Sequence, residues 1–109
     1  MDRLKVLGQA APSATTETDL YAASQNIRGA LASSLMVCNR SASSATFRVS
    51  VSVGGSATAN KDYLYYDVTI SGNDTFAATL GLTLSPSDKV RVYASTANVS
   101  FGLFGSEVS

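Results

Sequence analysis

Carboxylates are the side chains of this chain that could do acid–base chemistry or hold a metal ion, because the sequence contains no His and a single Cys. Zinc prefers thiolate and imidazole ligands, so one thiol without any imidazole argues against a zinc site. Calcium takes oxygen ligands, but the spacing of Asp74 and Asp88 matches no calcium-binding loop. We therefore expect no metal ion and no cofactor.

Nucleophilic chemistry has equally little support in the sequence. A serine or cysteine nucleophile needs a positioned base, and without His that base would have to be Lys5, Lys61 or Lys89. Cys38 ends the apolar run 35–38, which predicts a buried thiol that acts as a small hydrophobic side chain. No GxSxG stretch and no glycine-rich phosphate loop occurs. The chain is predicted not to be an enzyme.

The charge balance argues against nucleic-acid and membrane partners. Eight basic and eight acidic residues cancel to a net charge of zero, whereas phosphate contacts need clustered Lys and Arg. No run approaches the 18 apolar residues of a membrane-spanning helix. Residues 1–18 lack the apolar core of a secretory signal, so we expect synthesis in a cytoplasm, with any export by another route.

Tyrosines are the side chains that favour a binding surface. In a strand the side chains alternate between two faces, so Tyr63 and Tyr65 are predicted on one polar face, with Tyr66 opposite and Tyr93 also facing outward. Cross-strand aromatic pairing is one interpretation. A protein interface is a second, because exposed Tyr is enriched there, and a platform on which sugars stack is a third.

Two further segments suggest contacts with other chains. Phe104 is out of step with Phe101 and Leu103, which predicts that it faces outward. Residues 8–16 are rich in Ala, Ser and Thr and include Pro12, which predicts an extended arm or a surface loop. The predicted interface residues are Pro12, Tyr63, Tyr65, Tyr93 and Phe104.

Alternation of apolar and polar residues predicts the elements that position these side chains. Residues 47–53 alternate strictly between apolar and polar types, which is typical of a strand with one buried face. Residues 62–70, 75–84 and 99–103 repeat the pattern. Turn signals lie between them: Gly54-Gly55 predicts a tight hairpin, and Pro86 predicts a type I turn over residues 85–88.

Strict alternation also predicts which side chains face the core. We expect Leu31, Leu35 and Val37 on one face of their strand and Met36 and Cys38 on the other. Further sets are expected to share a face of their own strands: Leu64, Tyr66, Val68 and Ile70; Phe76, Ala78, Leu80, Leu82 and Leu84; Val90 and Val92; Val99, Phe101 and Leu103.

The predicted fold class is all-β, a two-sheet antiparallel sandwich that is jelly-roll-like and has about eight strands. Strands at this spacing are typical of sandwiches and barrels, and a closed barrel is the alternative. Two Cys flanking a Trp, the immunoglobulin core signature, are absent. The predicted organisation is an N-terminal strand and extended arm over residues 1–17, followed by a β-sandwich domain over residues 18–109.

Four pieces of the sequence resemble small virion structural proteins of tailed bacteriophages, which are short β-sandwiches that decorate the capsid or form fibre modules. The similarity covers most of the chain and has no catalytic motif in it. The pieces are VLGQAAPSATTETDLY, MVCNRSASSATFRVSV, NKDYLYYDVTISGNDTFAATLGLTLSPSDKVRVYAS and NVSFGLFGSEV.

The resemblance implies a non-enzymatic capsid decoration (cement) protein that is made in the host cytoplasm and ends in the virion. It also implies a homo-oligomer, commonly a trimer, that binds the major capsid protein and stabilises the head. The alternative that it implies is a head- or tail-fibre module that binds a host glycan or protein.

Overall fold

The computed structural model describes residues 2–109, which form eight β-strands and two short 3-10 turns. The turns are Val53–Gly55 and Asn60–Asp62, both between the fourth and fifth strands. The strands are β1 (Asp2–Ala10), β2 (Thr18–Ala22), β3 (Gly29–Asn39), β4 (Ala45–Ser52), β5 (Tyr63–Ile70), β6 (Thr75–Leu84), β7 (Lys89–Ala94) and β8 (Val99–Val108).

The strands form two four-stranded antiparallel sheets, one in the order β1-β8-β3-β6 and the other in the order β2-β7-β4-β5. The first strand pairs with the last, the second with the second-last, and so on inward: β1 with β8, β2 with β7, β3 with β6, and β4 with β5. This is one long hairpin rolled over two sheets, which is the jelly roll. The predicted all-β sandwich of about eight strands is therefore confirmed.

The core lies between the sheets, and alternation along the strands fills it. Phe47, Val90, Val92, Val99 and Leu103 are all at most 1% exposed, as their alternation predicts. Residues of β6 also face inward as predicted, and pack against the buried cluster: Phe76, Ala78, Leu80, Leu82 and Leu84. Because both sheets present such a face, each removes the apolar side of the other from water.

An irregularity in β3 overturns the predicted face of Leu31. The pairing of β3 with both neighbours shifts between Ala32 and Ser34. An extra residue in a strand reverses the alternation beyond it, so Leu31 is exposed while Leu35 and Val37 are fully buried. Met36 and Cys38 do lie on the other face, as predicted, but Cys38 is only partly buried, so the prediction of a buried thiol is wrong.

Two irregularities in β5 change the predicted positions of its tyrosines. Val68 pairs with Phe47 and Tyr65 pairs with Val49, so Tyr66 and Asp67 together oppose a single residue of β4. Asp67 takes a positive φ of 51°, which Asp tolerates better than most residues. Tyr65 therefore turns into the core and Tyr66 faces outward, the reverse of the predicted arrangement.

The connections also differ in part from the predictions. Gly54 and Gly55 both have positive φ, but they open a ten-residue loop, 53–62, instead of a two-residue hairpin. In the turn over residues 85–88, Ser87 has a φ of 75°, and positive φ at the third position defines type II, so the predicted type I is wrong. No helix among residues 2–109 is long and apolar enough to cross a membrane.

Candidate interaction surfaces

The outer surface of the β2-β7-β4-β5 sheet is polar and aromatic, and we call it the arginine–tyrosine face. It is defined by Arg48, Arg91, Tyr63, Tyr66 and Tyr93. Lys89, Arg91 and Tyr93 alternate with the buried Val90, Val92 and Ala94 along β7. Irregularities in β5 bring Tyr63 and Tyr66 to the same side, beside Arg48 of β4.

Arg48 is held between two aromatic rings. Its Cζ lies 4.3 Å from the ring centroids of both Tyr66 and Tyr93. Its Nε and Nη2 donate to the two carboxylate oxygens of Asp67, at 2.6 and 3.3 Å. The pKa of Arg48 is raised, and the hydrogen bond to Asp67 is the largest cause. A planar guanidinium is suited to such combined stacking and bidentate pairing, so this cluster presents a fixed shape.

Tyr63 and Tyr66 line a shallow recess beside this stack. Their rings meet edge to face, with centroids 4.9 Å apart, and Tyr66 is 57% exposed. Asn60 completes the recess, which has a volume of about 270 Å³. The recess therefore offers aromatic ring surface next to an amide that can donate and accept hydrogen bonds.

Arg91 clamps the 53–62 loop over the same sheet. Its guanidinium donates to the carbonyl oxygens of Ser56, at 2.6 Å, and Gly55, at 3.1 Å. It also donates to the hydroxyls of Ser52, at 3.0 Å, and Thr58, at 3.1 Å. Ser52 is fully buried although it points away from the core between the sheets, which shows that the loop covers this part of the face.

The carboxylates of Asp88 and Asp19 also hold the 53–62 loop and Arg91 in place. Asp88 accepts hydrogen bonds from the backbone N–H of Gly54, at 2.8 Å, and of Ser85, at 2.9 Å. Asp19 binds Arg91 at 3.0 Å and Lys89 at 3.3 Å. Partial burial opposes ionisation of Asp19, but the hydrogen bonds from Arg91 and Lys89 outweigh it and lower the pKa of this carboxyl. The charged groups of this face are therefore largely satisfied within the chain.

The outer surface of the β1-β8-β3-β6 sheet is different, and we call it the apolar face. It is defined by Leu4, Val6, Leu31, Met36 and Phe104. Leu4 is 89% exposed, Val6 48%, Leu31 43% and Met36 40%. The rest of this face is built mainly from Ser, Thr, Ala and Gly, for example along β6, where Thr75, Ala77, Thr79, Gly81 and Thr83 are exposed. Among the outward strand residues that the structure describes here, Asp2 is the one that carries a charge.

A ridge and a depression shape the apolar face. The ridge consists of Leu4 and Val6 on the edge strand β1. Phe104, paired with Val6, lies over Gly102, since a Cβ added to Gly102 would stand 3.0 Å from its ring. Beyond the ring is an open depression of about 500 Å³, lined chiefly by apolar surface that includes Met36, Cys38 and Gly102.

Apart from Asp2, the charged residues of β1 and β8 turn away from the apolar face. Lys5 alternates with Leu4 and Val6, and its Nζ binds Glu107 at 3.2 Å. Tyr21 of the other sheet donates its hydroxyl to Glu107 at 2.6 Å. This hydrogen bond and Lys5 lower the pKa of Glu107, whereas burial and the bond to Glu107 raise the pKa of Tyr21. The group joins the two sheets at one end of the sandwich.

The predicted interface residues are divided among four places. Tyr63 and Tyr93 lie together on the arginine–tyrosine face, and Phe104 lies on the apolar face. Tyr65 faces the core, where its ring packs against Phe47 at 6.2 Å and Phe76 at 5.3 Å. Pro12 is buried in the loop after β1, and this loop is tied to β7 by a hydrogen bond from the N–H of Thr15 to the carbonyl of Ala94.

Sequence reasoning missed the residues that give each face its character. Arg48 and Arg91 sit at polar positions of alternating strands, which signals that they face outward but not what they bind. Leu4 lies in a short apolar–polar alternation, Leu4-Lys5-Val6, which fits the predicted N-terminal strand but does not show that this strand is the edge of a sheet. Within residues 2–109, no group of three or more His, Cys, Asp and Glu is placed to hold a metal ion.

Comparisons with known proteins find similarity in structure and none in sequence. No protein-family model matches the chain, and no curated protein sequence matches it. A chain of the crystal structure of the T13 infectious bursal disease virus particle matches 97% of this chain, with a TM-score of 0.58 and 13% identity. The structure of the Gx strain of that virus matches 98%, with a TM-score of 0.58 and 12% identity.

The comparison extends over nearly the whole of this chain but over a small part of the viral chains. This chain spans 30% of the length of each of them. At such low identity the likeness concerns the fold, which is one found in a viral particle. The comparison supports the predicted β-sandwich fold, while the assignment to virion proteins of tailed bacteriophages stays a prediction.

Proposed function

We propose that the chain is a non-enzymatic structural protein of a virion, a capsid decoration (cement) protein of a tailed bacteriophage. The observation that carries the proposal is the jelly roll itself, 97% of which aligns with part of a chain of the infectious bursal disease virus particle. A protein that braces a particle needs rigidity and repeated contacts, and it needs no reactive groups. The clamped loop and the two distinct outer faces suit such a role.

In this proposal the arginine–tyrosine face binds the major capsid protein. Tyr and Arg are enriched among the residues that dominate binding energy at interfaces. Arg48 is already fixed between Tyr66 and Tyr93, so little side-chain freedom remains to be lost on binding. Leu64 adds an exposed apolar side chain beside Tyr66.

Sedimentation with capsids that lack the protein tests this assignment. Purified wild-type protein is expected to co-sediment with such capsids, and Tyr66→Ala to weaken binding at least about tenfold, as loss of a central interface residue does. Thr79→Ala, on the outward side of β6, is the matched control and is expected to bind normally. Absence of the wild-type protein from both the reconstituted capsids and the native particle would contradict the proposal.

A fibre module that binds a host glycan is the second candidate, and the recess formed by Asn60, Tyr63 and Tyr66 favours it. A sugar ring could stack on a tyrosine there while the Asn60 amide binds its hydroxyls. Binding to immobilised glycans that is lost in Tyr63→Ala and Tyr66→Ala, together with no affinity for capsids, would select this function. Tyr65→Ala is a poor probe because Tyr65 packs in the core.

A further inference from the structure

The apolar face is a broad surface that nothing in the described chain covers. The chain's two longer dimensions are 42 and 27 Å, so a face of the sandwich offers at most about 1,100 Å². A standard protein interface takes roughly 800 Å² from each partner. One face is therefore large enough for a stable contact, whereas an isolated exposed leucine would need no explanation.

The charge pattern of this face favours an identical partner. Asp2, at one end, is its one charged residue among the outward strand residues described. Two copies can therefore meet across the middle of the face without like charges opposing each other, and Arg28 borders the face only at the recess beside Leu31 and Val108. The arginine–tyrosine face carries Arg48, Arg91 and Lys89 beside Asp67 and Asp19, so it has no such uncharged middle.

The shape of the face is also complementary to itself. The Leu4–Val6 ridge stands on the edge strand, and the depression beside Met36 and Cys38 lies farther along the same face. We infer that copies of this chain associate through the apolar face, with the ridge of one copy in the depression of the next. The inference rests on the proposed function and deepens it by naming the surface that joins the copies.

The arrangement closes into a dimer. Ridge and depression lie on the same face of the sandwich, so two copies that meet through this face oppose it to each other, and each places its ridge in the depression of the other.

Light scattering of the purified protein tests the surface. Wild-type protein is expected to be oligomeric, and Leu4→Lys and Leu31→Lys are each expected to weaken association at least about tenfold, since they place a charge in an apolar contact. Leu64→Lys is the matched control on the opposite face and is expected to keep the wild-type mass. Circular dichroism checks that all variants stay folded, which their exposed positions favour.

Disulfide trapping tests the ridge-to-depression contact and uses the native Cys38 as the probe. Within one chain, Leu4 and Leu31 flank Ser106, and seven residues of β3 separate Leu31 from Cys38, a distance of roughly 23 Å. A disulfide needs Cα atoms within about 7 Å, so the cysteine introduced by Leu4→Cys can reach Cys38 of a second copy only. A covalent dimer is expected under oxidising conditions, with no product for Leu64→Cys or the wild type.

The outcomes separate this inference from the proposed function. A monomeric wild-type protein, or apolar-face variants that keep the wild-type mass and form no cross-link, would overturn the inference even if the protein binds capsids. Variants that dissociate and cross-link as expected would support the inference even if the wild-type protein never binds a capsid, in which case the proposed function fails alone.

Discussion

The two outer faces of the sandwich differ in how far their side chains are paired or covered within the chain. Both sheets have four strands and bury one side in a common core. The arginine–tyrosine face satisfies its charged groups internally and is partly covered by the 53–62 loop, whereas the apolar face leaves Leu4, Val6 and Leu31 in water. One face is therefore a rigid surface whose charges are largely paired, and the other is an exposed apolar surface, the one that we infer joins the copies.

The largest expected effect on the isolated chain comes from removing the clamp. Arg91→Met should lower the free energy of unfolding by about 2 kcal/mol, because the partly buried hydroxyls of Ser52 and Thr58 and the carbonyl of Gly55 lose their donor. Chemical denaturation measures this change. Hydrogen exchange should also become faster in the 53–62 loop and stay unchanged in β1 and β3.

Arg28→Met is the control for that experiment. Arg28 is exposed in the connection before β3, so the same change of side chain there should alter stability by less than about 0.5 kcal/mol. Equal losses in the two variants would show that the arginine–tyrosine face is not held together by Arg91.

A smaller effect on stability is expected from the contacts of Glu107 with Tyr21 and Lys5, which lie on the side of β8 that faces away from the apolar face. The lowered pKa of Glu107 means that its carboxylate stabilises the fold above its ordinary pKa, and that this contribution is lost as the pH falls through the folded-state pKa. Glu107→Gln removes that titration. Between pH 5 and pH 3 the wild-type protein should therefore lose about 1 kcal/mol more stability than the variant.

Denaturation curves of the wild-type protein and of Glu107→Gln, each measured at pH 5 and at pH 3, test this difference in stability. Glu17→Gln, at an exposed position in the loop after β1, should keep the wild-type pH dependence. If Glu107→Gln also keeps it, the contacts from Tyr21 and Lys5 do not stabilise the ionised carboxylate.

Within the arginine–tyrosine face, single aromatic contacts should matter less than the clamp. Tyr66→Ala removes the edge-to-face pair with Tyr63 and should cost about 1 kcal/mol. Tyr66→Phe retains the ring and should be nearly neutral in thermal denaturation. A loss in Tyr66→Phe as large as in Tyr66→Ala would show that the hydroxyl, and not the ring stack, is what stabilises this face.

The smallest effect on the isolated chain is expected on the apolar face. Leu4→Ser should change the stability of the monomer by no more than about 0.5 kcal/mol, because Leu4 is 89% exposed and loses little burial. The measurement uses protein diluted until light scattering shows monomer. A large loss in the monomer would show that the apolar face is part of the core and is not reserved for a second copy.

Much of the fold could be predicted from the sequence because alternation is a local property. Phe47, Val92 and Leu103 follow it and lie in the core as expected. Tyr65 and Leu31 do not, because a bulge reverses the alternation without leaving a clear local signal. Around Tyr65 the neighbours Leu64 and Tyr66 are also apolar or aromatic, so the pattern there fits either face equally well.

The surfaces were harder to predict because they depend on distant pairs. Arg91 reaches loop acceptors 33 to 39 positions away in the sequence, for example Thr58 and Ser52. Arg48 meets Tyr93 only because β4 and β7 are neighbours in the sheet. The sequence identified tyrosines as candidates, but the partners that fix them follow from the topology.

Electron cryo-microscopy of virus particles from the source that encodes this chain tests the central claim most directly. The account predicts repeated density for an eight-stranded jelly roll on the capsid, with the arginine–tyrosine face on the capsid protein and apolar faces between neighbouring copies. Particles that contain no such density, and no such chain by mass spectrometry, would contradict it.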